Sequence, residues 1–171
     1  MTGEPALATL GHAEKEALCR QCGVSCHFAV PVNGLPVVIE DLHCRYLTVE
    51  EGAHALPRYA CSVYERRHEV APWCQPVQAA FEQSLLAQDC PYVVASRDAE
   101  RARGRPFHYR GKTRLHPRLL AAAMPAILRQ VLDEGVSDAL SHDGLVRFLK
   151  TAGIEGATIE HENGRYRVVL P

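Results

Sequence analysis

Residues 157–170, ATIEHENGRYRVVL, decide the fold class, because they read as a β-hairpin closing a chain whose preceding stretch is helical. Asn163-Gly164 is the pair that a two-residue type I′ turn demands, since both central residues of that turn take positive φ. With the turn placed there, Ile159 pairs with Val168 and His161 with Tyr166 on one face, while Glu160 meets Arg167 and Glu162 meets Arg165 on the other. The first face is apolar and the second salt-paired. The hairpin is therefore expected to pack on helices through Ile159, Tyr166, Val168 and Leu170.

Upstream of the hairpin the apolar period is helical. From Pro117, residues Leu120, Ala123, Met124, Ile127, Leu128 and Val131 recur at three- and four-residue steps, and Gly135 ends the run. Pro125 is expected to kink or restart this helix, since it lacks the amide that the helix needs. A further helix from about Ser141 to Thr151 buries Leu145, Phe148 and Leu149 and stops at Gly153. Another opens at Pro76 and runs to about Gln88, with Val77, Phe81 and Leu85 on one face; Cys90-Pro91 ends it. Short apolar runs such as Pro36-Val37-Val38-Ile39 are candidate strands. Helices followed by a hairpin give an α+β class: a small, loop-rich, metal-stapled N-terminal region, then a helical part with a C-terminal β-hairpin.

Between these parts, Arg97, Arg101, Arg103, Arg105, Arg110, Lys112, Arg114 and Arg118 stand against Asp98 and Glu100, and the segment GRPFHYRGKTR is Gly-rich and aperiodic. It reads as an exposed linker or basic loop. The expected organisation is a cysteine-cluster domain over 1–96, the basic linker over 97–116, and helices plus hairpin over 117–171, packed on the first part.

A chain of 171 residues fits one domain or one domain with a small appendage. Hydrophobic residues at 47% and charged residues at 23% argue against wholesale disorder. The formal net charge of -1 leaves no overall field to attract nucleic acid or membrane. The start MTGEPALATLGHAEKEAL has neither a basic opening nor an apolar segment of signal-peptide length, and no run approaches a membrane span, so a reducing, cytoplasmic location is expected. Seven cysteines in such a compartment point to a metal or to catalysis, and an odd number speaks against a secreted disulfide scaffold.

Six of the seven lie between Cys19 and Cys74, with Pro31, Gly34, Pro36, Gly52 and Pro57 among them and no long helical period. Cys19-Arg-Gln-Cys22 is a CxxC pair, which lets two thiolates reach one metal from a tight turn, and Cys26 follows closely. These three are the leading ligands. Cys44, Cys61 and Cys74 compete to complete the site, for tetrahedral zinc and a four-thiolate iron–sulfur cluster each need four. All-sulfur ligation suits both and disfavours magnesium or calcium; the iron–sulfur cluster is the preferred reading and zinc the second.

The segments CRQCGVSC, CRYL, and CSVYERR followed by PWC resemble the YkgJ-type cysteine-cluster family, a zinc- or iron-chelating domain. The family pattern runs CxxCxxCC, then a Cys before a short apolar pair, then CsIYe-x-RP and a final Cys. On that resemblance Cys19 and Cys22 match the CxxC pair, Cys26 the second Cys of the doublet, Cys44 the Cys of the CRYL segment, Cys61 the Cys before Ser-Val-Tyr-Glu, and Cys74 the last Cys. Tyr64 and Arg67 match the family's Tyr and Arg and are implied to buttress the cluster. Ser25 stands where the doublet's first Cys is expected and His68 where the Pro is. The resemblance covers about residues 19 to 74 and implies metal binding.

His27 and His43 sit beside proposed ligands and are candidate nitrogen donors, although a surface or supporting role is the plainer reading; His12, His54 and His68 are weaker candidates. Cys90 reads as a buried inert thiol. Phe107, His108 and Tyr109 interleave the basic run, so nucleic-acid binding there is an unfavoured alternative to a solvated linker, and nothing in the spacing of His108 and His116 requires a second metal site. No nucleophile–base pair, Walker loop, dinucleotide fingerprint or HExxH occurs. The expected function is a metal-binding module, serving redox chemistry or protein modification with a protein partner or substrate. The alternatives are a metalloenzyme with an open coordination position and a zinc-stapled adaptor for nucleic acid or protein.

Overall fold

A computed structural model describes residues 10–50 and 58–171. It is an α+β fold with antiparallel pairing within each of its sheets. In chain order the elements are α1 (His12–Ala17), β1 (His27–Val32), β2 (Leu35–His43), β3 (Leu47–Glu50), β4 (Arg58–Cys61), α2 (Arg67–Val70), α3 (Val77–Glu82), α4 (Pro91–Ala102), α5 (Pro117–Glu134), β5 (Val136–Ser137), α6 (His142–Thr151), β6 (Thr158–Glu162) and β7 (Arg165–Val169). The sheets are β1-β2, β3-β4 and β5-β7-β6.

The first hairpin turns at Asn33 (φ 49°) and Gly34 (φ 78°), the same Asn-Gly chemistry as at Asn163-Gly164. Strand β2 then carries Val37, Val38 and Ile39, all buried, because it is covered on both faces. Val37 and Ile39 join Val30, Leu42, Ile127, Val131, Val136, Leu140, Leu145, Phe148 and Leu149 in one core. Val38 joins a second core with Val24, Ala80, Leu86, Ala87, Cys90, Tyr92 and Val93. One strand thus ties the cysteine-bearing part to the C-terminal helices.

The C-terminal part follows the period-based expectation closely. Helix α6 starts behind Ser141, whose hydroxyl accepts from the Gly144 amide, and buries Leu145, Phe148 and Leu149. The β6-β7 register pairs Ile159 with Val168, Glu160 with Arg167, His161 with Tyr166 and Glu162 with Arg165. The second face is not salt-paired, however. Arg165 turns instead to the C-terminus of α5, donating to the carbonyls of Glu134 (2.8 and 3.1 Å) and Gly135 (3.0 Å), where the helix dipole is negative. Leu170 is 50% exposed and adds little to the packing done by Ile159, Tyr166 and Val168. Helix α5 continues through Pro125 without interruption; Ala121 and Pro125 are both exposed, so the carbonyl that loses its donor faces solvent.

The structure corrects the expected elements at two points. Helix α3 stops at Glu82 rather than near Gln88, because Ser84 takes a left-handed conformation (φ 59°) and the Leu85 amide returns to Ala80. Residues 97–102 are the last half of α4, not loop, with Tyr92 and Val93 as the helix's buried anchors. The rest of the basic stretch is also built in. Thr113 and Pro36–Val38 exchange backbone hydrogen bonds, the Lys112 amide bonds Leu86, and Tyr109 stacks on Phe81 at 5.0 Å. No helix among the described residues is long and apolar enough to cross a membrane.

Candidate metal centre

Four of the six candidate thiols line one cavity of about 500 Å³: Cys26, Cys44, Cys61 and Cys74. Each is delivered by a short local structure. Cys26 ends a 3₁₀ turn (Val24–Cys26) that enters β1. The Cys44 amide bonds the Cys26 carbonyl at 2.7 Å, so the end of β2 returns to that turn. Cys61 closes β4 opposite Leu47. Cys74 follows α2 in a turn closed by its amide on Ala71 at 2.8 Å. Cys19 and Cys22 do not line this cavity.

The four sulfurs share one electrostatic neighbourhood. Burial pushes the Cys26 thiol up to about 12, and negative charge on Cys44, Cys74 and Cys61 adds to the rise, while the Ser25 hydroxyl, 3.9 Å from its sulfur, opposes it. Cys74 is raised by burial, then by Cys61 and Cys44, with Arg67 pulling the other way. Thiols raised in this way, Cys26 and Cys74, hold their protons unless a cation replaces them. Cationic groups stand in the same wall: Arg67, Arg110 and Lys112. Lys112 is 9% exposed and donates from Nζ to the carbonyls of His27 (2.6 Å) and Ser25 (3.0 Å).

Trp73 supplies a further clue. It lines the cavity beside Cys74, and its Nε1–H is buried with no hydrogen-bond partner among the described residues. An orphan donor in such a wall suits an acceptor such as a thiolate or sulfide sulfur. Arg45 lies over the Trp73 ring at 4.8 Å, and Tyr46 stacks parallel to it. Among the described residues no three Cys, His, Asp or Glu side chains form a group that could hold a metal ion as they stand.

His27 lines the same cavity and its Nε2 is buried with no hydrogen-bond partner among the described residues, whereas His43 is engaged at both ring nitrogens. His27 is 2% exposed, with Nδ1 on the Gly23 carbonyl at 2.7 Å and Nε2 facing Glu40 at 3.3 Å. His43 bonds the Cys44 carbonyl through Nδ1 (3.0 Å) and takes Arg147 at Nε2 (3.3 Å). His116 caps α5, accepting the Arg118 amide; His12 begins α1, His68 lies in α2, His108 is exposed, and His54 is outside the described residues. Cys90 is buried in the second core.

Tyr64 and Arg67 form one unit with Glu16. The Arg67 guanidinium covers the Tyr64 ring at 4.0 Å, donates to the Tyr64 carbonyl at 2.8 Å, and pairs with Glu16 at 3.2 Å. Glu16 also accepts the Val77 amide at 3.0 Å, tying α1 to α3. Sequence reasoning missed Glu16, Trp73, Arg110 and Lys112. The adjacency of the lone Trp to Cys74 was a usable signal, whereas Lys112 is hidden in a run of like charges. Phe107 and Tyr109, read as candidate base-stacking residues, are half-buried in the second core, stacked with Phe81. Comparison with protein-family models, curated proteins and solved structures finds no match to this chain.

Proposed function

We propose that this chain is a metal-binding module in which Cys26, Cys44, Cys61 and Cys74 hold an iron–sulfur cluster, in preference to zinc. The observation that carries the reading is the convergence of four thiols, distant in sequence, on one cavity walled by Arg67, Arg110 and Lys112. A divalent core with four thiolates is a net anion, and cations in its wall offset that charge. All-sulfur donors suit an iron–sulfur cluster and zinc alike, and a cavity of about 500 Å³ leaves room for a polynuclear cluster. The resemblance of these cysteine contexts to the YkgJ-type family supports the same chemistry.

When bound, such a cluster supplies one-electron transfer, which fits redox work or a protein-modifying system acting on a protein partner. The residues around it have separate tasks: Trp73 Nε1–H and Lys112 offer a donor and a positive charge to sulfur, and the Glu16–Tyr64–Arg67 unit holds the wall. Anaerobic purification with iron, sulfide and zinc analysis and a visible spectrum tests this. Iron and sulfide in equal amounts, lost in Cys26→Ser and Cys61→Ser but kept in Cys90→Ser, is the expected result. A colourless protein holding only zinc would replace the cluster, and metal retained in both cavity variants would refute the ligand assignment.

A further inference from the structure

Cys19 and Cys22 are left over by a four-thiolate site, and their surroundings differ from those of the cavity. Cys19 is exposed and its sulfur accepts the Gln21 amide at 3.4 Å. Cys22 is half-buried against the second core, and the neighbouring Arg20 guanidinium pairs with Asp89 at 2.6 Å. The turn between them is held from outside. The Tyr59 amide and the Arg58 guanidinium bond the Gln21 carbonyl and side chain at 3.0 and 2.7 Å, and Arg114 donates to the Cys22 carbonyl at 3.0 Å. Gln21 takes a left-handed conformation (φ 56°), as does Gly23 (φ 69°).

We propose that Cys19 and Cys22 form a thiol–disulfide couple, separate from the metal centre, that reduces an external disulfide. The two-residue spacing suits a local disulfide, the outer thiol is exposed while the inner one is half-buried, and a backbone amide donates to the Cys19 sulfur. Exposed Cys19 attacks first. Its thiolate displaces one half of the external disulfide, breaking that S–S bond; the leaving thiolate takes a proton from water. Cys22 then attacks the Cys19 sulfur of the mixed disulfide, forming the Cys19–Cys22 bond and expelling the second half, which is protonated in turn. Two thiols of this chain lose two electrons and two protons, and the external disulfide gains both.

Oxidised glutathione is the small-molecule probe and insulin the protein-disulfide probe, each added to the purified full chain. Thiols are then trapped by alkylation and located by mass spectrometry, with metal measured in parallel. The expected product is a Cys19–Cys22 disulfide while Cys26, Cys44, Cys61 and Cys74 stay unmodified. Cys22→Ser is expected to accumulate a stable mixed disulfide at Cys19, at least tenfold faster than Cys19→Ser accumulates one at Cys22. Both variants are expected to hold as much metal as the parent chain. Faster oxidation of the pair by insulin than by glutathione, or the reverse, identifies the source of the disulfide. Loss of metal in either variant would overturn the proposal by making these residues ligands, and so would oxidation that begins at the cavity cysteines. A parent chain without metal would refute the cluster but not the couple, which the alkylation pattern still reads.

Discussion

The cysteine-bearing part and the C-terminal part of this molecule are held by different physics. From Pro117 onward, an 18-residue helix, a 10-residue helix and a hairpin bury Ile127, Val131, Leu145, Phe148 and Leu149, so apolar periodicity specifies the structure. From His12 to Glu82 the helices have only four or six residues and two have no buried side chain. There the chain is fastened by particular polar bonds, such as Glu16 to Arg67 and Val77, Lys112 to two carbonyls, and the Gln21 staples. Hydrophobic burial is distributed and tolerant; such fastenings are specific and local.

The largest test of that contrast is Phe148→Ala. This side chain is 2% exposed in the core that both parts share, so its loss should cost about 3–5 kcal/mol and lower the urea midpoint of the whole chain in one transition. A transition that splits, with the cysteine part unaffected, would show that β2 does not couple the two. Removing a metal held at the proposed site should do the converse. At a hundredfold excess over Kd, binding stabilises by about 2.7 kcal/mol, and amide exchange after chelation should quicken around Cys61 to Cys74 while Val131 and Phe148 keep their protection. Uniform exchange across the chain would contradict this.

Glu40 marks the seam between the parts and gives a pH-dependent test. The approach of His27 Nε2 at 3.3 Å and the pairing with Arg114 hold its carboxyl down at about 2, against the opposing effect of burial. A carboxylate with a depressed folded pKa contributes stability that is complete above its ordinary pKa near 4.5 and is lost as pH falls toward 2. The side chain is 48% exposed, so solvent screening reduces the contribution to about 1 kcal/mol. Glu40→Gln should flatten the stability slope between those pH values. In the hairpin the expected effects are smallest. Arg165→Ala should cost about 0.5–1.5 kcal/mol through its bonds to Glu134 and Gly135, whereas Glu162→Ala should cost under about 0.5 kcal/mol by thermal unfolding. Equal losses would restore the cross-strand ion pair as the working contact.

The same contrast explains which elements could be read in advance. The β6-β7 register and the buried face of α6 follow from a turn that needs Asn-Gly and from a 3.6-residue period. Asn33-Gly34 carries the same turn signal, yet the first hairpin is obscured because β2 is apolar on both faces and shows no alternation. Helix α4 hides behind arginines: its anchors Tyr92 and Val93 lie in the first turn, and the charges that follow resemble a linker. At the candidate site, the residue types and Ser25 were legible, but which of the six cysteines line one cavity was not. CxxC proximity in sequence favoured Cys19 and Cys22, whereas the cavity gathers Cys44, Cys61 and Cys74 through strand pairing and turns with no local sequence signature.

The cavity wall has a consequence for biosynthesis. Its four sulfurs are complete in the chain by Cys74, but Arg110, Lys112, Ala139 and Leu140 also line it, and Leu140 bridges to Cys44. A ribosome therefore exposes every proposed ligand well before the residues that enclose them have emerged. A chain truncated ahead of residue 139 would present four thiols in an open trough to any oxidant it met.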